Sequence, residues 1–302
     1  MTVNGAITLE AAGRMLVHEH VLVGFIEDGK LTPNDYIREE VIEKVLPHLL
    51  KLREVGGQTF MDCSPEYLGR DPYLLKELAS LSGLHIVTNT GIYKAPYLPS
   101  FVYTMTEQEL AKVWIREAKY GIGESGVYPG FIKIAVNDNR INETQQTILK
   151  AAMRASLETG LPIQCHTVGK DTILHLVELL NEVKFDYDRF TWVHAQTCPD
   201  MEVHRTLVEQ GMWISIDSIK PGNYQHHVEL LHQLKLLGVG ERVLLSQDTG
   251  WFTVGEEHGG EISSYHYLFE EFFPYAAENG ISSSWLEQCV TVNAFEAMRL
   301  RS

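Results

Sequence analysis

The feature that most constrains this chain is a rhythm of short and long segments. Eight short apolar runs, rich in β-branched and aromatic residues, alternate with eight longer segments. The runs at 14–20, 58–63, 84–90, 130–135, 162–166, 190–194, 212–218 and 242–248 read as strands. The segments around 39–55, 72–82, 106–120, 143–159, 170–183, 200–210, 224–238 and 262–278 read as helices, most with apolar residues at three- and four-residue steps. Pro72 and Glu143 sit near helix starts, and Gly160, Gly211 and Gly238 near helix ends. No Pro/Gly/Ser-rich linker or charge block divides the chain. The expectation is an α/β protein: a single (β/α)8 TIM barrel spanning residues 1–302. An open doubly wound sheet is the rival, but the glycine-rich phosphate loop it needs after the first strand is missing.

Composition excludes some classes of partner. A formal net charge of −15 argues against non-specific binding to nucleic acid or to an anionic membrane. There is no basic leader followed by an apolar stretch and no apolar run of membrane-spanning length, so a soluble, cytoplasmic protein is expected. Cys63, Cys165, Cys198 and Cys289 are scattered without C-x-x-C spacing and read as small buried apolar residues in a reducing compartment.

In such a barrel the reactive groups lie at the C-terminal ends of the strands. Those ends carry His18 and His20 in "LVHEHVLVG", Lys133, His166, His194 and Asp248. Residues two apart on a strand share a face, so His18 and His20 can both point into the barrel mouth while Glu19 points away. One buried histidine is usually a hydrogen-bonded core residue. Four at strand ends, with an aspartate, form the usual donor set for zinc and its first-row neighbours. His48, His175, His204, His226, His227 and His232 fall on helical segments and read as solvated; His85 begins a strand at the wrong end, and His258 stays open as a loop contact. Lys133 is the odd member, because a protonated ammonium has no lone pair for a metal. As a neutral amine it could take up carbon dioxide and become an anionic carbamate with two oxygens; an ordinary salt-bridged lysine is the alternative.

HxH, then the lysine of "GFIKIA", the histidines of "QCHT" and "WVHA", and the aspartate of "LSQD" resemble the phosphotriesterase family of the amidohydrolase superfamily. The likeness runs from "GAITLEAAGRMLVHEH" to about Asn293, and the five-part pattern in this order is far more specific than HxH alone. It implies two divalent metal ions, zinc first, with manganese or cobalt as alternatives. His18, His20 and Asp248 would hold one ion and His166 and His194 the other, bridged by an N6-carboxylysine at Lys133 and a hydroxide. Some relatives carry glutamate at the lysine position; this chain does not. Ala294 stands where relatives often have proline, a departure that touches nothing catalytic. Relatives often dimerise, so a homodimer is one possible assembly, which the sequence does not decide.

The implied reaction is metal-assisted ester hydrolysis by the bridging hydroxide, with Asp248 accepting its proton. "NTGIY" resembles the lactonase-like branch, whose tyrosine lies at the metal site; here that residue is Tyr93, with packing of the barrel rim as its plainer role. A lactone is therefore the first expected substrate. Lys94, Lys170 and Lys220 lie just beyond strand ends and would favour a polar or phosphorylated sugar lactone. Trp251 and Phe252 would instead line an apolar channel, as for an acyl-homoserine lactone; the polar case is preferred. An organophosphate hydrolase, or a non-catalytic binding protein on the same barrel, are the alternatives.

Overall fold

The computed structural model describes residues 1–138 and 141–301, and the alternation is present in it. The strands are β1 (Arg14–Glu19), β2 (Leu22–Val23), β3 (Gly57–Asp62), β4 (His85–Val87), β5 (Asn89–Ile92), β6 (Phe131–Ala135), β7 (Ile163–His166), β8 (Phe190–Val193), β9 (Trp213–Ile216), β10 (Val243–Leu245) and β11 (Phe252–Thr253). β4 and β5 are one passage of chain interrupted at Thr88, whose carbonyl accepts from Gly130 N–H (2.8 Å). Taken so, eight strands of the described residues form the parallel set, in the order β1-β3-β4 and β5-β6-β7-β8-β9-β10. β2 and β11 make a separate parallel pair above the mouth. Between β10 and β1 the contact is made by other bonds. Asp248 N–H donates to the His18 carbonyl (3.0 Å) and His18 N–H to Ser246 Oγ (2.9 Å), which sets the two strand ends side by side.

The helices Arg38–Glu54, Pro72–Ser82, Glu107–Tyr120, Glu143–Thr159, Lys170–Glu182, Met201–Glu209 and Tyr224–Leu236 follow the strands as expected. Local chemistry sets their ends. Asn142 and Gln145 form a capping box at the start of Glu143–Thr159, and Gly160 ends it at φ 77°. The eighth helical segment begins later than its apolar pattern suggests. Gln247 reaches into it, donating to the Ser264 carbonyl (2.9 Å) and accepting from Leu268 N–H (2.6 Å), so the stretch before Leu268 is irregular. Leu268–Phe272 is then π-helical before Phe273–Glu278, and Pro274, lacking an N–H, cannot make an α-helical bond to Glu270.

Alternation along each strand sorts the core into two layers. Ile132, Ile134, Ile163, Trp192, Ile214 and Leu245 pack outward against the helices. Met15, Val17, Met61, Phe131, Trp213 and Leu244 fill the interior, with Ala294 and Ala297 of the helix Val292–Met298 closing the far end. The four cysteines are free and buried, as expected. Gly91 lets β5 approach β6: at φ 120° its missing Cβ would lie 2.0 Å from the Lys133 carbonyl.

β1 breaks the alternation. Leu16 lies opposite Phe60 but Glu19 opposite Asp62, so one extra residue is absorbed as a β-bulge. The Val17 carbonyl turns inward there, accepting from Gln164 Nε2 (3.0 Å) and Cys63 Sγ (3.5 Å). Unbroken parity with Met15 and Val17 would have turned Glu19 inward and His18 out among the helices. The bulge reverses that, and His18 enters the mouth.

Candidate metal centre

Six side chains from five strand ends meet in the mouth: His18, His20, Lys133, His166, His194 and Asp248 all line one cavity. His194 and Asp248, just past β8 and β10, take left-handed backbone angles (φ 68° and 48°). Such conformations cost on the order of 1–3 kcal/mol when a side chain is present and persist where the surroundings hold them. Here the His194 N–H is held by Asp217 Oδ2 (2.9 Å) and the Asp248 N–H by the His18 carbonyl (3.0 Å).

The Asp248 carboxylate is the centre of the group. Its oxygens lie 3.3 Å from His20 Nε2, 3.6 Å from His18 Nε2 and 3.7 Å from His194 Nε2. Lys133, 1% exposed, puts Nζ 2.9 Å from His18 Nε2, and no carboxylate among the described residues pairs with it. An ordinary salt-bridged lysine is therefore not what the site contains. His166 faces the cluster with Nδ1, which lies 2.9 Å from His194 Nε2.

Burial governs the charges. It lowers the pKa of His18 and His20, lowers His166 well below the usual imidazole range with help from the neighbouring His194, and takes His194 down to about 4. The imidazoles are thus neutral near pH 7, the form that donates a lone pair. For Asp248 burial pushes the other way, but His18, His20 and His194 outweigh it and hold the carboxyl well below its usual range.

The nitrogens turned away from the cluster decide whether metal would suit it, since a ligating imidazole must carry its proton on the other nitrogen. His20 Nδ1 meets Ser64 Oγ (2.9 Å), and that hydroxyl donates onward to the Leu22 carbonyl (2.7 Å). His18 Nδ1 and His194 Nδ1 face the two oxygens of Asp217 at 3.4 and 3.6 Å. Three of the four histidines thus have an acceptor on the outer side and a lone pair directed inward. His18, His194 and Asp248 can each offer an atom within 4.8 Å of the others. The donor set fits divalent cations.

The remaining predicted residues are divided. Tyr93 lies beside His166 (ring centroids 5.7 Å apart) and Trp251 beside His20 (5.4 Å); both line the cavity. Lys94 Nζ sits 2.8 Å from His166 Nε2 and 3.8 Å from Asp138 Oδ1. Lys170 is at the surface with Asp200 (2.7 Å), and Lys220 is exposed. Phe252 is buried in β11 against Gly259 and does not line the cavity. His258 is exposed.

Two helical histidines expected to be solvated are buried instead. His204 Nε2 meets the Ala195 carbonyl (2.9 Å) and His227 Nε2 the Asp217 carbonyl (2.9 Å). Each reaches back from its helix to the strand end before it, where loop carbonyls need a partner. Sequence reading also missed Asp217, Ser64 and the role of Glu19. For Asp217 a signal existed, an aspartate closing the apolar run "MWISIDS" where the other strands carry their ligands.

Fold and donor set together define an α/β barrel-type protein with a histidine-rich, metal-type centre at the C-terminal ends of its parallel strands. The chain belongs to the phosphotriesterase family, whose model matches residues 1–296. It is 26% identical over 287 residues to the phosphotriesterase homology protein of Escherichia coli (strain K12), covering 92% of this chain and 95% of that one. It is 24% identical over 283 residues to the aryldialkylphosphatase of Saccharolobus solfataricus, with 89% and 90% covered. With the phospho-furanose lactonase of Mycoplasmopsis synoviae it shares 24% identity over 307 residues, covering 93% of this chain and 86% of the relative. Among the described residues no helix is long and apolar enough to cross a membrane.

Proposed function

We propose that the chain is a binuclear-metal-dependent hydrolase of ester bonds that acts on lactones. His18, His20 and Asp248 would hold one divalent ion, zinc first, and His166 and His194 the second, with a carboxylated Lys133 between them. When bound, the ions supply a Lewis acid and an acidified water. The chain's own residues do the rest. Asp248, whose carboxylate lies at the centre of the group, takes up a proton released in the mouth and can return it to a leaving oxygen. The phenol of Tyr93, kept protonated by burial, can donate toward the carbonyl oxygen of a bound ester.

The observation that supports a lactone over a phosphotriester is the placement of Tyr93, which lines the mouth beside His166 (ring centroids 5.7 Å apart) and can donate to a planar ester carbonyl. Val23, Phe25, Leu68 and Trp251 complete the lining beside the candidate ligands. The apolar walls also support an apolar substituent, since Lys170 and Lys220 stand outside the cavity. A phosphorylated lactone is the second reading, favoured by Lys94 alone, the one lysine of the three in contact with the cluster.

The test is turnover by metal-reconstituted protein across acyl-homoserine lactones, phosphorylated sugar lactones and a dialkyl aryl phosphate. Catalytic efficiency should be highest on the acyl lactones, by about tenfold or more, the scale a few apolar contacts provide. Preference for the phosphate ester would replace this reading with an organophosphate hydrolase. No turnover of any substrate by protein holding two ions would leave a binding protein.

A further inference from the structure

We infer that Asp217 is a positioning residue that ties the two halves of the metal centre together. The inference rests on the binuclear reading above. Asp217 follows β9 and is fully buried. Its Oδ1 accepts from Ser215 Oγ (2.8 Å) and lies 3.4 Å from His18 Nδ1, an atom with no other partner. Its Oδ2 accepts from the His194 N–H (2.9 Å) and lies 3.6 Å from His194 Nδ1. The carboxylate is itself fixed from behind: Asp217 N–H donates to Gln196 Oε1 (3.1 Å), and His227 Nε2 sits 2.9 Å from its carbonyl.

His18 and His194 belong to opposite ions of the proposed pair. Each points Nε2 into the cluster, so each must carry its proton on Nδ1 when Nε2 binds metal. One carboxylate is then the acceptor for one imidazole of each ion, one oxygen apiece. His20 is served differently, by the hydroxyl of Ser64 alone (2.9 Å). The consequence is coupling. An ion on the His18 side fixes that ring against Oδ1, which holds the carboxylate plane and so pre-sets Oδ2 for His194. By reciprocity the second ion does the same for the first. The two ions should therefore enter together, and loss of the shared carboxylate should affect both.

The experiment is Co2+ titration of chelator-stripped full-length protein in bicarbonate buffer, followed by visible absorption and by elemental analysis. Wild type should take up two equivalents in one unresolved transition. Asp217→Asn keeps the volume but offers one acceptor oxygen in place of two. It should bind both ions ~10- to 100-fold more weakly, the usual effect of removing an outer partner, and in two separate steps. Ser64→Ala, which leaves the shared carboxylate in place, should weaken uptake but split the transition less than Asp217→Asn does. Should Asp217→Asn fail to fold, Ser215→Ala, which frees Oδ1, reads the same coupling as a smaller separation of the two steps. Uptake by Asp217→Asn within about threefold of wild type, or weakening of one ion alone, would overturn the inference and leave the binuclear reading standing. Wild type taking up no cobalt would overturn that reading itself.

Discussion

Glu19 braces Asp248 without touching it. The Glu19 carboxylate accepts the Gln247 N–H (2.8 Å), has the Thr249 N–H 3.5 Å away, and takes the Ser246 hydroxyl (2.7 Å), so it grips the chain on both sides of Asp248. The residue that the HxH pattern turns away from the mouth thus holds the loop that delivers the acid. Burial raises its pKa well above the usual carboxyl range, so an amide should substitute well for it. Glu19→Gln keeps Oε1, which takes two of these bonds, and should cost under about 1.5 kcal/mol. Glu19→Ala empties a packed site and strands buried donors, and should cost about 3 kcal/mol. Urea denaturation of the two variants gives the comparison; equal losses would show that the brace does not matter.

Asp248→Asn should lower turnover by more than ~10²-fold, the low end for loss of a general acid–base group. The amide can still offer an oxygen, so bound metal should fall far less than the rate. A near-normal rate at normal metal content would leave Asp248 as a ligand only.

Lys133→Ala should lose metal and activity together, since among the described residues the buried amine pairs with no carboxylate and stands beside His18 Nε2 (2.9 Å). Short carboxylic acids added to the alanine variant should restore part of both by filling the space with an anionic oxygen donor. Lys133→Glu should retain more metal than Lys133→Ala. Elemental analysis decides it: unchanged metal in the alanine variant would remove Lys133 from the bridge.

His194 gives a pH dependence of defined sign. Its folded pKa of about 4 lies below the ordinary 6.5, so between these values the unfolded chain binds the proton and the folded one does not. The contribution is fully present above pH 6.5 and is lost as pH falls through 4. Metal-free wild type should lose about 3 kcal/mol relative to His194→Gln between pH 7 and pH 4, at 1.36 kcal/mol per unit. Parallel stability–pH curves for the two proteins would contradict the shift.

Substrate preference should separate at two positions. Trp251→Ala should depress activity on long-chain acyl lactones and spare short ones. Lys94→Met should cost ~10- to 100-fold in efficiency on phosphorylated lactones, the value of a charge-assisted hydrogen bond, and little on neutral ones. A loss on phosphorylated lactones in Lys94→Met, with no chain-length effect in Trp251→Ala, would make the polar lactone the substrate class.

The sequence by itself determined the alternating architecture and the six groups at the mouth. Both are written in local signals: the change of apolar period along the chain, and polar residues where an apolar run should end. It could not determine how those groups are held. A period of two carries no mark of a bulge, and the bulge between Leu16 and Glu19 is what turns His18 inward. Lysines just past strand ends look alike in sequence, yet Lys94 meets His166 while Lys170 pairs with Asp200 at the surface, because loop path and not spacing sets their reach. His204 and His227 read as helix surface, but each helix packs that face onto a strand end with carbonyls to satisfy. Asp217 meets His18 and His194, and Glu19 meets the Asp248 loop, only because the fold sets the end of β1 beside the ends of β9 and β10, far away along the chain. Side chains far apart in sequence acquire partners through tertiary contact alone, and those partners decide which nitrogen of His18, His20 and His194 faces the mouth.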